Sequence, residues 1–178
     1  LFRSKIGDSA RATAVWVEFR PKVSEFPELA GASELPKNIS IPVLGHKHIN
    51  PIDPADVGSP SGKRKSKLKV KAFLKDQSGA GLVGETVKPV PGEWTKASFT
   101  IPTGATFPLK RIGIRFSGNK ASEGAPVYID DVNIGPNHSY SFEDGSVAPW
   151  SKKKNGIIDV RVSTEHSHSG ARSMEVVF

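Results

Sequence analysis

The chain has 178 residues, enough for one domain with a full core, and its 17 Gly and 14 Pro with no long helical pattern favour many short strands joined by turns. The absence of Cys excludes disulfides, thiolate metal sites and Cys nucleophiles. A formal net charge of +7 invites a polyanion: nucleic acid, an anionic membrane surface or an acidic polysaccharide.

Leu1 to Ala10 reads as an irregular lead-in. From Arg11 to Arg20 apolar and polar residues alternate, with Thr13, Val15, Val17 and Phe19 on one face and Trp16, Glu18 and Arg20 on the other. A Trp flanked by a carboxylate and a guanidinium suits a sugar platform, a flat ring beside groups that bond hydroxyls. A Trp covered by a neighbouring loop is the equal alternative. Pro21 to Lys67 is the least regular stretch, Pro-rich and ending in the basic run Gly62 to Lys67, with one short strand expected at Asn38 to Val43. His46 and His48, like His166 and His168, have a spacing that puts two imidazoles on one strand face, with no third zinc ligand in view.

Lys67 to Asp76 alternates again, with Leu68, Val70, Ala72 and Leu74 inward and Lys69, Lys71, Phe73 and Lys75 outward. Gln77 to Gly84 reads as a Gly-rich turn. Trp94 to Ile101 is the next strand, burying Ala97, Phe99 and Ile101, and Leu109 to Ser117 buries Ile112, Ile114 and Phe116 while presenting Arg111 and Arg115. If the polar faces of these strands line one sheet, they form a basic surface carrying Trp16 and Phe73. Val127 to Ile134 alternates with Tyr128, Asp130, Val132 and Ile134 on one face. If that face is buried, the Asp130 carboxylate needs a cation or a metal, which Glu143 is near enough in sequence to share. Ser151 to Gly156 is expected as a basic loop, and Ile157 to Ser163 and Ser173 to Phe178 as an antiparallel pair joined by the loop Thr164 to Arg172.

YIDDV (128–132), SFEDG (141–145), STEHSHSGARSMEVVF (163–178) and PGEWTKASFTIP (91–102) together resemble the calcium-containing jelly-roll carbohydrate-binding modules of secreted polysaccharide hydrolases, over roughly 67–178. The resemblance implies an all-β fold, a β-sandwich jelly roll of two antiparallel sheets. It also implies a secreted, non-catalytic module that holds a parent glycoside hydrolase on a β-linked plant polysaccharide, with β-mannan or β-glucan favoured and xylan in range. A structural Ca²⁺ would be held by Asp130 and Glu143 with Ser141 and His168, the loop Thr164 to Arg172 lending backbone oxygens. Trp94 would be structural, and Trp150 would line the binding site or plug the end of the sandwich.

In this chain the family's segment order is reversed, since FEDG usually opens the domain and IDDV closes it. Either 1–178 is one circularly permuted module, with 1–134 as the conventional later strands, 135–139 as the junction and 140–178 as the conventional first strands, or a module's tail is joined to the head of the next. Length favours permutation; a head without partners invites a strand-swapped dimer rather than a monomer. The ligand-binding set expected is Trp16, Glu18, Arg20, Phe73, Lys71, Arg115 and Trp150. The alternatives are an acidic polysaccharide on the basic face of Arg20, Lys69, Lys71, Lys75, Arg111 and Arg115, or a spacer without ligand. No nucleic-acid motif and no membrane-spanning run is present, so neither is expected as a partner. No second acid at a recognisable spacing accompanies Glu18, so an enzyme is not expected.

Overall fold

A computed structural model describes residues 14–20, 38–45, 68–106, 108–118, 126–135, 138–153 and 159–177, and for Ala14, Val15, Trp16 and Phe19 the backbone alone. The expected lead-in, most of the Pro-rich stretch with its basic run, and His46 and His48 lie outside the described residues.

Among the described residues twelve strands form two antiparallel sheets, the β-sandwich expected. They are β1 (Ala14–Phe19), β2 (Asn38–Gly45), β3 (Lys69–Lys75), β4 (Gly81–Val83), β5 (Trp94–Thr100) and β6 (Arg111–Ser117), then β7 (Val127–Ile129), β8 (Val132–Ile134), β9 (His138–Tyr140), β10 (Ser151–Lys153), β11 (Asp159–Ser163) and β12 (Ser173–Val177). Sheet A has the order β10-β1-β6-β3-β4; sheet B has the order β11-β12-β7-β2-β8-β9, with β5 on the other side of β2. Strands of the last third are built into both sheets: β10 pairs with β1, and β12 with β7.

Alternation explains the layers. In β3 and β6 the inward residues Val70, Ala72, Leu74, Ile112, Ile114 and Phe116 are buried against Ile39, Ile41, Val43, Ala97, Ile129 and Met174 of sheet B. Each of these Val, Leu, Ile, Phe and Met side chains contributes roughly 1.5–3 kcal/mol by leaving water. Trp150 joins this core at 4% exposure and meets the Tyr140 ring edge-on at 5.8 Å. It plugs the sandwich and is not available to a ligand, which removes it from the expected binding set.

Two expectations change in the details. Val127 to Ile134 is not one alternating strand. Val43 pairs with Ile129 and Ile39 with Ile134, so 129–134 holds one residue more than 39–43, a bulge at Asp130–Asp131. The bulge lets Val127 and Ile129 point inward on one side of it and Val132 and Ile134 on the other. Asp131 absorbs the turn at φ 46, a region that Asp tolerates better than most residues. It also accommodates Pro42 in the middle of the sheet. The Asp130 N–H donates to the Pro42 carbonyl at 3.3 Å, so the N–H that Pro42 lacks would have pointed at the bulge, where the ladder is already broken. The second change is in the stretch 151–156, expected as a loop: Ser151–Lys153 is strand β10, and 154–156 lie outside the described residues.

Candidate functional site

Apart from Trp150, the expected ligand residues belong by register or sequence to the outer face of sheet A. Lys71 of β3 lies opposite Arg115 of β6, Arg115 opposite Trp16 of β1, and Trp16 opposite Lys153 of β10. The next row runs Val83, Phe73, Gly113, Glu18, Ser151. Lys75 and Arg111 pair in the row beyond, Lys69 and Ser117 in the row before, and Arg20 follows β1 in an exposed position. Trp16 is placed by register; its side chain lies outside the described atoms.

Gly113 decides how Phe73 sits. A Cβ on Gly113 would come within 2.5 Å of Cε1 and Cζ of Phe73 and 2.6 Å of the Val17 carbonyl oxygen, so the half-buried ring occupies the space a side chain would take. An aromatic therefore leans across the middle of the sheet.

Glu18 is the correction on this face. It was expected to bond sugar hydroxyls, yet it is only 3% exposed. Its Oε1 lies 3.6 Å from Nη1 of Arg111 and 3.5 Å from Nζ of Lys153. The cause is β10, which carries Lys153 to the edge of β1 and whose Ser151 hydroxyl donates to the Glu18 carbonyl at 3.1 Å. A carboxylate held between two cations positions them and does not meet ligand. Lys71 and Phe73 are half-buried and Arg115 is exposed, and neither Lys71 nor Arg115 has an acidic partner among the described residues.

The outer face of sheet B is organised differently. One row crosses it: Trp94, Leu44, Tyr128, Glu175, Arg161. Arg161 binds Glu175 through two nitrogens, at 2.9 and 3.1 Å. The loop 164–172 packs on Tyr128 and Trp94 of this row, while Lys96, Ser98 and Asn133 of the same sheet stay exposed. Glu165 accepts the Tyr128 hydroxyl at 2.6 Å, the His166 ring packs edge-on against Tyr128 at 4.7 Å, and His168 packs against Trp94 at 5.3 Å. Burial first, and Glu165 second, push the Tyr128 hydroxyl well above its ordinary pKa, so it stays a neutral donor. The His166–His168 pair thus lies against aromatic rings, and among the described residues no group of three or more His, Cys, Asp or Glu is placed to hold a metal.

The residues expected to hold calcium fix this same loop. Asp130 is fully buried, and its carboxylate accepts the backbone N–H groups of Asp131 at 2.8 Å, His168 at 2.9 Å and Ser169 at 3.1 Å. Desolvation raises its pKa, against the lowering effect of those donors. Glu143 accepts the N–H groups of Ala171 at 3.0 Å and Arg172 at 2.8 Å, while Nη1 of Arg172 donates to its carbonyl at 2.9 Å. Asp131 meets Nδ1 of His168 at 2.7 Å and accepts the Ser169 hydroxyl at 2.8 Å. Calcium needs about 6 to 8 oxygen ligands. The loop was expected to offer oxygens and instead turns N–H groups to Asp130 and Glu143, Ser141 sits half-buried just before Phe142, and this donor set does not fit the ion.

Comparison with protein-family models, curated proteins and solved structures yields no match.

Proposed function

We propose that this chain is a non-catalytic polysaccharide-binding module whose ligand lies on the outer face of sheet A. The observation that carries the reading is the register of β10, β1, β6 and β3, which brings Trp16, Arg115 and Lys71 into one row and Phe73 into the next. An aromatic ring stacks on the C–H face of a sugar while cationic and polar groups bond its hydroxyl or acidic substituents. The contrast between the two outer faces supports this choice. Loop 164–172 already occupies the row of sheet B, whereas Arg115 is exposed and Phe73 and Lys71 are half-exposed on sheet A. The four segments similar to carbohydrate-binding modules point the same way, and with them the reading extends to a secreted parent hydrolase acting on plant cell-wall glycans.

Binding, not hydrolysis, suits this face. A glycosidase needs two carboxylates flanking the bond it cleaves, and the carboxylate that the described part of this face carries, Glu18, is committed to Arg111 and Lys153. The test is native electrophoresis through gels containing β-mannan, β-glucan, xylan or a polyuronate. The chain should be retarded by at least one polymer, and Phe73→Ala should run free in that gel. Equal retardation of the variant, or no retardation in any gel, contradicts the reading.

A further inference from the structure

The outer face of sheet A is unequally compensated. Lys69, Lys71, Lys75, Arg111, Arg115 and Lys153 stand on it by register, and the acid among its described residues is Glu18. Glu18 shows what the face does with a carboxylate: it is held between one arginine, Arg111, and one lysine, Lys153. Arg115 and Lys71 form a second arginine–lysine pair, directly opposite one another in register and without an acidic partner among the described residues. Adjacent strands lie about 4.8 Å apart, so one carboxylate above the sheet reaches both cations. The Arg fork matches a carboxylate with two parallel N–H bonds, and Lys adds a point charge. Phe73 is two residues along β3 from Lys71 on the same face, about 6.5–7 Å away along the strand. A single acidic sugar therefore fits both features, its ring over Phe73 and its carboxylate between Arg115 and Lys71.

We propose that the ligand of this face is an acidic polysaccharide of uronic-acid type, with Arg115 and Lys71 as its carboxylate clamp. The inference rests on the polysaccharide-binding reading above and names the ligand class for that site. Two features set a uronate apart from the other polyanions. One is that the Arg115–Lys71 pair lies within one sugar's length of Phe73 along β3 and in the same row as Trp16, so that carboxylate and ring contacts fall on a single residue of the polymer. The second is the carboxylate already seated between Arg111 and Lys153 on the same face.

The experiment is calorimetric titration of the full chain against polygalacturonate, a neutral galactan, a sulfated dextran and a single-stranded oligonucleotide, each at low and high salt. Polygalacturonate should bind, weaken with salt, and bind roughly tenfold more weakly to Arg115→Ala and to Lys71→Ala. Arg115→Lys should recover part of the loss. Both positions lie on the sheet surface, and unchanged melting temperatures show that the variants are folded. Salt-insensitive binding of the neutral galactan alone, lost in Phe73→Ala, overturns the uronate assignment and leaves the polysaccharide-binding reading standing. Sulfated dextran bound as tightly as polygalacturonate overturns the carboxylate clamp. Tighter binding of the oligonucleotide than of any glycan, or no binding of any polymer, overturns both.

Discussion

Gly113 and Glu18 set the character of the sheet A face from opposite directions, one by lacking a side chain and the other by burying a charged one. Alanine at Gly113 would have to displace both the Phe73 ring and backbone of β1. Gly113→Ala should cost about 1–3 kcal/mol in urea denaturation and weaken polymer binding by moving the ring. Stability and binding both equal to wild type would show that Phe73 does not rest there. Glu18→Gln is expected to separate stability from binding. Loss of a buried carboxylate between Arg111 and Lys153, whose side chains are 31% and 38% exposed, should cost about 1–2 kcal/mol. It also frees two cations, so affinity for an acidic polymer should rise; a fall would mean that Glu18 touches ligand after all. The sequence placed Glu18 on the right face because strand alternation is local. It did not reveal the burial, because Lys153 arrives on a three-residue polar strand that carries no apolar pattern.

At the scale of elements, the loops are fixed by carboxylates that accept backbone N–H groups. Glu143 is one such group, and Gly170 makes room for it: a Cβ there would come within 2.5 Å of Oε1 of Glu143, at a φ of 63 that other residues seldom adopt. Glu143→Gln should raise hydrogen exchange across 164–172 while amides of β2 and β6 keep their protection, at a cost of about 1–2 kcal/mol. Uniform loss of protection would show that the loop and the core unfold together. Asp76 does the same work beyond β3, accepting from the Ser78 hydroxyl at 2.6 Å, Thr106 N at 3.1 Å, the Thr106 hydroxyl at 2.9 Å and Ala80 N at 2.9 Å. The Ser78 bond first, with those from Thr106 and Ala80 outweighing burial, holds its pKa well below the ordinary 3.8. A depressed folded value makes this stabilisation complete above the unfolded pKa and lost as pH falls through the folded one. The stability gap between wild type and Asp76→Asn should thus be full at neutral pH and shrink below about pH 4. A gap constant across that range would show that the carboxylate charge is not what holds the turn. Strands β1, β3, β5 and β6 were legible from their apolar alternation, and β2, β11 and β12 were expected as strands without a stated pattern. The bulge at Asp130–Asp131 was not, because its one-residue slip shows only when Pro42 and its neighbours are paired with it across the sheet.

At the scale of the molecule, the two outer faces divide the labour. One carries loop 164–172 over Tyr128 and Trp94, held by Asp130, Asp131, Glu143 and Glu165, and the other carries cations around an aromatic. β10 completes sheet A beside β1, and β12 and β11 extend sheet B from β7, so strands late in the chain supply edges that the earlier described strands leave open. Composition and alternation were enough to anticipate short strands joined by turns, and the two-sheet sandwich was implied by the resemblance of the four segments. The assignment of faces required the strand order, since the residues of the candidate site come from segments as far apart as 16 and 153.

The most direct test of the central claim is an NMR titration of the isotope-labelled chain with a short oligogalacturonate, following backbone amide shifts. The account predicts perturbations concentrated in β1, β3, β6 and β10, largest near Phe73 and Arg115, with the amides of 164–172 unmoved. Shifts centred instead on loop 164–172 and the Trp94–Arg161 row, or no saturable shifts at all, would contradict it.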